Sequence, residues 1–290
     1  MKGRERTTEL PRPKKLLGQN FLIDRQVLGR IVEAAGIKPD DRVLEVGPGR
    51  GALTRLLADK GARVVAVELD RELVPLLSAE FAGRDNVEIV GADILAVDLG
   101  RLLGECGAGR WKVVANLPYN ISSQVLFRFL ECRDLFSLLV LMLQKEVGER
   151  LLAPAGCKEY GALTVFFRLY FDIQRALTVK PGSFHPVPKV DSVVLRFLPL
   201  SAPRADVGDE ELFRRVVKAS FSQRRKTLWN CLKTAGVAPA ETDLAQALES
   251  CGIDQGRRGE TLSLEEFVTL TRALESLNVS AARDAGKTLA

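Results

Sequence analysis

The sequence predicts an α/β fold: a mostly parallel sheet with helices on both faces, ending in an antiparallel hairpin, followed by a small all-α C-terminal domain. Three observations predict it. Short apolar runs alternate with helix-period segments through the first two-thirds of the chain. A glycine-rich segment follows the first apolar run and opens a helix. Beyond a stretch rich in proline and small residues, Pro199 to Asp209, the pattern is purely helical.

Taken in order, residues 1–15 carry six basic and two acidic residues and two prolines, and are expected to form a flexible basic arm. Arg42–Val46, Arg63–Glu68, Val87–Val90, Lys112–Ala115 and Leu138–Leu143 have the apolar character of buried strands. Ala52–Lys60, Arg71–Phe81, Ser122–Glu131 and Lys145–Leu152 have helical periodicity, as does a segment near Leu163–Arg168. Two β-rich stretches follow, Asp172–Val179 and Val190–Leu198, joined by the Pro-rich segment Pro181–Pro188 as a hairpin. The first domain thus spans 16–199, a linker 200–209 and a helical domain 210–277, with a frayed tail over 278–290. In the helical domain Glu211–Ser220 and Gln223–Ala235 are amphipathic, and Ser263-Leu264-Glu265-Glu266 forms a capping box that opens a last helix.

Composition narrows the class of protein. With 290 residues, 46% hydrophobic and 27% charged, the chain can bury a core. Its net charge of +5 is compatible with a polyanionic partner. The five cysteines, Cys106, Cys132, Cys157, Cys231 and Cys251, are odd in number and form no CxxC pair, which points to a reducing, cytoplasmic location. His185 is the only histidine, so no metal site is expected. The longest apolar run, Leu135–Leu143, is too short to span a membrane, and the N-terminus lacks the apolar stretch of a signal peptide.

Leu44-Glu45-Val46-Gly47-Pro48-Gly49-Arg50-Gly51 lies between a strand and a helix, where glycines let backbone approach a ligand. Its spacing also fits a dinucleotide fingerprint, so an NAD-dependent enzyme is a competing reading. The E-x-G-x-G-x-G form and the absence of a dehydrogenase-like acceptor site favour S-adenosylmethionine. Glu68 ends the second strand, 21 residues after Gly47, where a carboxylate can accept from both ribose hydroxyls. Asp93 follows the third strand and is placed to accept from an adenine amine.

Asn116-Leu117-Pro118-Tyr119 follows the fourth strand and fits the (N/D)-(P/I/L)-P-(Y/F) pattern of amino-group methyltransferases. The residue types suit that chemistry. The lone pair of an adenine N6 is delocalised into the ring. Hydrogen bonds from its N–H groups to the Asn116 side-chain oxygen and the Leu117 carbonyl would localise it. Pro118 stiffens the turn, and Tyr119 offers a face for a base drawn out of its stack. The sulfonium is already activated, so positioning and charge placement suffice without a strong base. The pattern serves DNA adenine, protein glutamine and rRNA adenine enzymes alike.

Four longer segments carry a closer likeness: Leu17-Gly18-Gln19-Asn20-Phe21-Leu22, Asn116 through Ser123, Gln144 through Leu151, and Pro181 through Ser192. In order, from about Leu16 to Leu277, the chain resembles the KsgA/RsmA family of rRNA adenine N6,N6-dimethyltransferases. The resemblance implies a Rossmann-like class I methyltransferase domain with a small helical C-terminal domain. It implies dimethylation of two adjacent adenosines in the 3′-terminal hairpin of 16S rRNA, late in small-subunit assembly. Position by position it implies cofactor contacts at Asn20, Leu22, Gly47, Glu68, Asp93 and Asn116, and a second aromatic wall for the target base at Phe184. Phe221-Ser-Gln-Arg-Arg-Lys226 and Arg258-Gly-Glu-Thr-Leu-Ser263 look more like this housekeeping family than like the antibiotic-resistance methyltransferases of large-subunit rRNA.

Between Glu211 and Lys233 lie seven basic residues and one acidic residue: Arg214, Arg215, Lys218, Arg224, Arg225, Lys226 and Lys233 against Glu211. A basic helical pair suits contacts to RNA phosphates, which position RNA without reading its sequence. The expected partner is 16S rRNA in the immature small subunit, with the chain acting as a monomer. A non-catalytic assembly factor that holds an RNA conformation is the rival from another class; the intact glycine loop, Glu68 and Asn116–Tyr119 count against it.

Overall fold

The computed structural model describes residues 11–105 and 109–287. The first ten residues of the basic arm, Cys106 and the last three residues of the tail lie outside the described residues. The chain divides into two compact units, one of residues 1–148 with 173–199 and one of residues 149–172 with 200–290.

In chain order the first unit contains β1 (Phe21–Leu22), α1 (Arg25–Ala35), β2 (Arg42–Val46), α2 (Ala52–Asp59), β3 (Arg63–Glu68), α3 (Leu73–Phe81), β4 (Val87–Gly91), α4 (Leu99–Glu105), β5 (Trp111–Asn116), α5 (Ser122–Glu131) and β6 (Phe136–Gln144). After α6 (Lys145–Leu152) and α7 (Ala162–Tyr170) come β7 (Phe171–Val179), β8 (Phe184–His185) and β9 (Ser192–Pro199). Seven strands form one sheet in the order β4-β3-β2-β5-β6-β9-β7. From β4 to β6 the pairs are parallel, and β9 runs antiparallel to β6. Both strands of the predicted hairpin are therefore at the expected end, with the later one inserted against β6.

The central strands are apolar along their whole length because both faces are covered. Val43, Leu44, Val64, Val65, Ala66, Val113 and Val114 are all fully buried. Helix α1 buries Leu28, Ile31, Val32 and Ala35, one face at helical spacing. Asp24 caps it by accepting from the amides of Gln26 and Val27 at 3.0 and 3.2 Å, and Gly36 ends it. Gly148, in α6, lies hard against β9: a Cβ there would fall 2.2 Å from Val193.

Strand order reverses between β2 and β5. From β2 the chain winds out through β3 and β4, then returns to β5 on the other side of β2 and winds out through β6. Loops leaving β2 and β5 consequently diverge, opening a crevice at their carboxyl ends. Gly47 and Asn116 stand at those two ends.

The second unit adds α8 (Glu210–Ser220), α9 (Leu228–Thr234), α10 (Glu241–Ser250) and α11 (Leu264–Lys287). Residues 149–172, assigned by sequence to the first domain, group with these helices. Their aromatic residues find partners there: the Phe166 and Phe213 rings are 6.1 Å apart, and the Tyr160 and Phe221 rings 5.8 Å. The helix expected over Gln223–Ala235 starts only at Leu228, because Thr227 caps it, and Gln223–Lys226 form a turn. The Ser263 capping box is formed, Glu266 N–H donating to Ser263 Oγ at 3.2 Å and Ser263 N–H to Glu266 Oε2 at 2.8 Å. Helix α11 continues past Asn278, where the sequence suggests a tail, to Lys287; Ser280-Ala281-Ala282-Arg283 contains no helix breaker.

Candidate active site

The crevice at the β2/β5 reversal opens into a cleft with about 1070 Å³ of empty space, part of it open to solvent. Asn20, Leu22, Gly47, Glu68, Asp93, Asn116, Leu117, Pro118 and Tyr119, all expected from sequence, line it together.

On the β2 side, Gly49 takes a positive φ of 60°, and a Cβ there would meet the Phe21 ring at 2.8 Å. Its N–H donates to Glu68 Oε2 at 3.1 Å, and Asp70 N–H donates to Glu68 Oε1 at 2.9 Å. Both carboxylate oxygens are thus held in place and each keeps capacity to accept again. Burial pushes the Glu68 carboxyl above its usual range, against those two backbone hydrogen bonds. Glu45 is more buried still, 2% exposed, and burial pushes its carboxyl up to about 8. Its Oε2 has no hydrogen-bond partner. Asp93 is fixed by its own turn, Oδ1 accepting from Leu95 N–H at 2.9 Å.

On the β5 side, the Asn116 side-chain amide donates from Nδ2 to the Asn20 carbonyl at 3.1 Å. This bond fixes which way the amide points, with Oδ1 as its acceptor atom. Leu117 N–H donates to Met142 O at 3.2 Å, tying the loop to β6, and Ile121 N–H donates to Pro118 O at 3.2 Å. The half-buried Tyr119 hydroxyl is hydrogen-bonded to Ser192 Oγ, the first residue of β9, at 2.5 Å. Ser192 is fully buried, and burial raises the Tyr119 phenol above its usual range, so the ring stays neutral.

Phe184 is not brought to the cleft. It is 1% exposed, in a core with Leu22, Leu28, Val179 and Val194, and its strand β8 pairs antiparallel with β1. A role as a second aromatic wall would require the ring to leave that core. Sequence reasoning missed the β1–β8 pair, two strands of two residues each with no periodicity to detect. It also missed Ser192 and the ring of contacts around Phe21, over which the Arg50 guanidinium sits at 4.7 Å.

Residues 12–275 match the family model described as ribosomal RNA adenine dimethylase. The chain belongs to the ribosomal RNA adenine dimethylase family. It is 62% identical over 266 residues, 92% of this chain and 97% of the relative, to a Geobacter metallireducens protein named ribosomal RNA small subunit methyltransferase A. Among solved structures it resembles a dimethyladenosine transferase from Plasmodium falciparum, with a TM-score of 0.73 and 28% identity over 86% of this chain and 95% of that one. It also resembles the 23S rRNA methyltransferase ErmE, with a TM-score of 0.65 and 30% identity over 88% and 100%. The first unit is accordingly a Rossmann-like class I methyltransferase fold, and the chain is an S-adenosylmethionine-dependent enzyme of the dimethylase family.

The cleft of this dimethylase fits that cofactor. Glu45 leaves one buried carboxyl oxygen without a partner in the cleft wall, as a site built to meet a polar ligand does, and the Gly47–Gly49 turn leaves backbone exposed where side chains would fill the space.

The basic residues lie in the second unit. Arg215, Lys218, Arg224, Arg225 and Lys226 are exposed and Arg214 is half-buried. The Arg224 guanidinium donates to the Lys158 carbonyl, and Lys233 pairs with Glu241 at 2.8 Å. Among the described residues, Arg214, Arg215, Lys218, Arg225 and Lys226 have no acidic partner within salt-bridge distance. The cluster is a helix and a turn rather than two helices. Among the described residues no group of His, Cys, Asp and Glu is arranged to hold a metal, and no helix is long and apolar enough to cross a membrane.

Proposed function

We propose that this chain dimethylates N6 of two adjacent adenosines in the 3′-terminal hairpin of small-subunit rRNA, on the immature subunit. The observation that carries the reading is the commitment of Asn116 Nδ2 to Asn20 O, which presents Oδ1 as an acceptor for an amine. S-adenosylmethionine, when bound, supplies an activated methyl on a sulfonium. Glu68 accepts from the ribose hydroxyls, Asp93 accepts from the adenine amine, and Asn20, Leu22 and Gly47 close around the nucleoside. Asn116 Oδ1 and the Leu117 carbonyl accept the two N–H groups of the target amine and turn its lone pair out of the ring. Tyr119 stacks on the base, held by Ser192. Pro118 keeps the Leu117 carbonyl turned outward. The proton lost after transfer leaves along these acceptors to water. The dominant contributions are positioning and preorganised dipoles.

Arg214, Arg215, Lys218, Arg224, Arg225 and Lys226 contact RNA phosphates and fix register, while the fold of the RNA presents the adenosines. The proposal includes a cytoplasmic, monomeric enzyme that needs no metal. Its test is methyl transfer from labelled S-adenosylmethionine to immature small subunits and, in parallel, to large-subunit rRNA, with mapping of the product. Two adjacent N6,N6-dimethyladenosines near the 3′ end of the small-subunit rRNA are expected. Label appearing only in large-subunit rRNA would favour the activity named for ErmE, and subunit binding without transfer would favour a non-catalytic assembly factor.

A further inference from the structure

Leu17 to Leu22 line the cleft, and four contacts fasten the segment from Lys14 to Leu22 within the first unit. Asn120 Nδ2 donates to Leu16 O at 3.2 Å. Asn116 Nδ2 donates to Asn20 O, and Phe21 and Leu22 pair with His185 and Phe184. Gly18 takes a positive φ of 62°, and a Cβ there would meet Asn120 Oδ1 at 2.6 Å. The fourth contact is polar and concentrated on one residue. Asp70, whose side chain is 1% exposed, accepts from Lys14 Nζ at 2.7 Å, Gln19 Nε2 at 2.8 Å and Glu72 N–H at 3.0 Å. Lys14 N–H in turn donates to Gln19 Oε1 at 2.7 Å, and Lys14 Nζ lies 3.0 Å from Glu72.

This cluster has no part in methyl transfer, yet it touches the cofactor site at both ends. Gln19 is itself a wall of the cleft. Asp70 N–H donates to Glu68 Oε1, the carboxylate assigned to the ribose. Asp70 thus ties the strap, through its carboxylate, to the ribose acceptor, through its backbone N–H. We propose that Asp70 is a positioning residue for the cofactor: through Lys14 and Gln19 it latches the Lys14–Leu22 strap across the cleft, and the latch opens for the cofactor to enter and for its product to leave. This rests on the cleft being the cofactor site.

The strap has the geometry for it. It is anchored at its far end by the β1–β8 backbone pairing and along its length by single hydrogen bonds from Asn116 and Asn120, while two side-chain contacts, of Lys14 and Gln19, converge on one acceptor at Asp70. Charge-assisted hydrogen bonds of this kind hold firmly yet break without disturbing a core. The partly exposed Lys14 ammonium contributes modestly because solvent screens it, whereas Asp70 is shielded and holds two strap donors at once.

The test is dissociation of tritiated S-adenosylhomocysteine from full-length protein, with amide hydrogen exchange over residues 18–22. Lys14→Met should speed dissociation about threefold. Asp70→Asn should do so by about tenfold or more. Lys14→Arg, which keeps the pair, should stay within about twofold of the parent. The strap amides should exchange faster in Lys14→Met, and KM for the cofactor should rise while single-turnover transfer at saturating cofactor is unchanged. Lys14 packs in no core, so Lys14→Met carries the test even if Asp70→Asn folds poorly. Unchanged dissociation and exchange in Lys14→Met, or equal losses in Lys14→Met and Lys14→Arg, would overturn the latch. Glu68→Ala separates the two readings: intact affinity there would overturn the cofactor site and the latch with it, whereas weakened affinity beside an inert Lys14→Met would overturn the latch alone.

Discussion

The Asn116 amide donates to the Asn20 carbonyl at 3.1 Å, joining the end of β5 to a strap 96 residues earlier in the chain. In the proposed mechanism Asn116 serves two functions at once: its nitrogen holds the strap and its oxygen accepts from the target amine. Asn116→Asp separates them. A carboxylate keeps an acceptor for the target amine but has no donor for Asn20 O. The variant should retain measurable transfer while its affinity for S-adenosylhomocysteine falls about tenfold, the cost of an opposed pair of acceptors, as read by equilibrium dialysis.

Tyr119 and Ser192 form a second such pair, and here the strand that positions the ring is itself positioned by Gly148. Tyr119→Ala removes a stacking face and should lower single-turnover kcat/KM by roughly 10- to 100-fold. Ser192→Ala leaves the ring but frees its hydroxyl; a loss of about fivefold is expected, carried mainly by KM for the subunit. Gly148→Ala drives a methyl into Val193 and should lower thermal stability by about 1–3 kcal/mol without changing the cofactor contacts.

In the basic cluster, Lys233 is already paired with Glu241, so it supplies an internal control. Reversing Arg224, Arg225 and Lys226 to glutamate should weaken binding to the immature subunit and flatten its dependence on salt, while cofactor affinity stays intact. Lys233→Glu should have a much smaller effect. Filter binding across a salt series distinguishes the two; equal effects would remove the turn from the RNA contact.

Glu45 predicts a pH dependence. Burial, the largest cause, and the neighbouring Glu68 push its folded carboxyl up to about 8 from an ordinary 4.5. Between those values the unfolded chain has released a proton that the folded chain keeps. Stability is therefore fully present below about pH 4.5, declines as pH rises toward 8 and levels off above it. Glu68, also shifted up by burial, acts in the same direction. The melting temperature of the cofactor-free protein should fall across that window, and Glu45→Gln should flatten most of the decline.

Much of this was legible in the sequence, for physical reasons that also explain the gaps. Arg42–Val46 and Arg63–Glu68 are buried on both faces, so their apolar runs mark the strands residue for residue. Ser122–Glu131 and Lys145–Leu152 are equally plain. Helix α1 was passed over although Asp24 and Gly36 mark its ends; α10 lacks a capping side chain at Ala240, and α4 is a short helix carrying Gly100 and Gly104. In the cleft, the expected residues that local sequence places, such as Gly47, Glu68 and Asn116, come together. Those placed by long-range pairing are not legible in this way: Asp70 holding Lys14, Ser192 holding Tyr119, and the β1–β8 pair that draws Phe184 into the core leave no mark at any short spacing.

If Asn116 orients and polarises the target amine while other parts of the chain hold the RNA and the cofactor, Asn116→Ala should fail at transfer and not at binding. In single-turnover transfer from labelled S-adenosylmethionine to immature small subunits, at saturating concentrations of both, transfer should fall by at least about a hundredfold while the variant binds the subunit as tightly as the parent protein does. Transfer at close to the parent rate with both ligands bound would rule that role out.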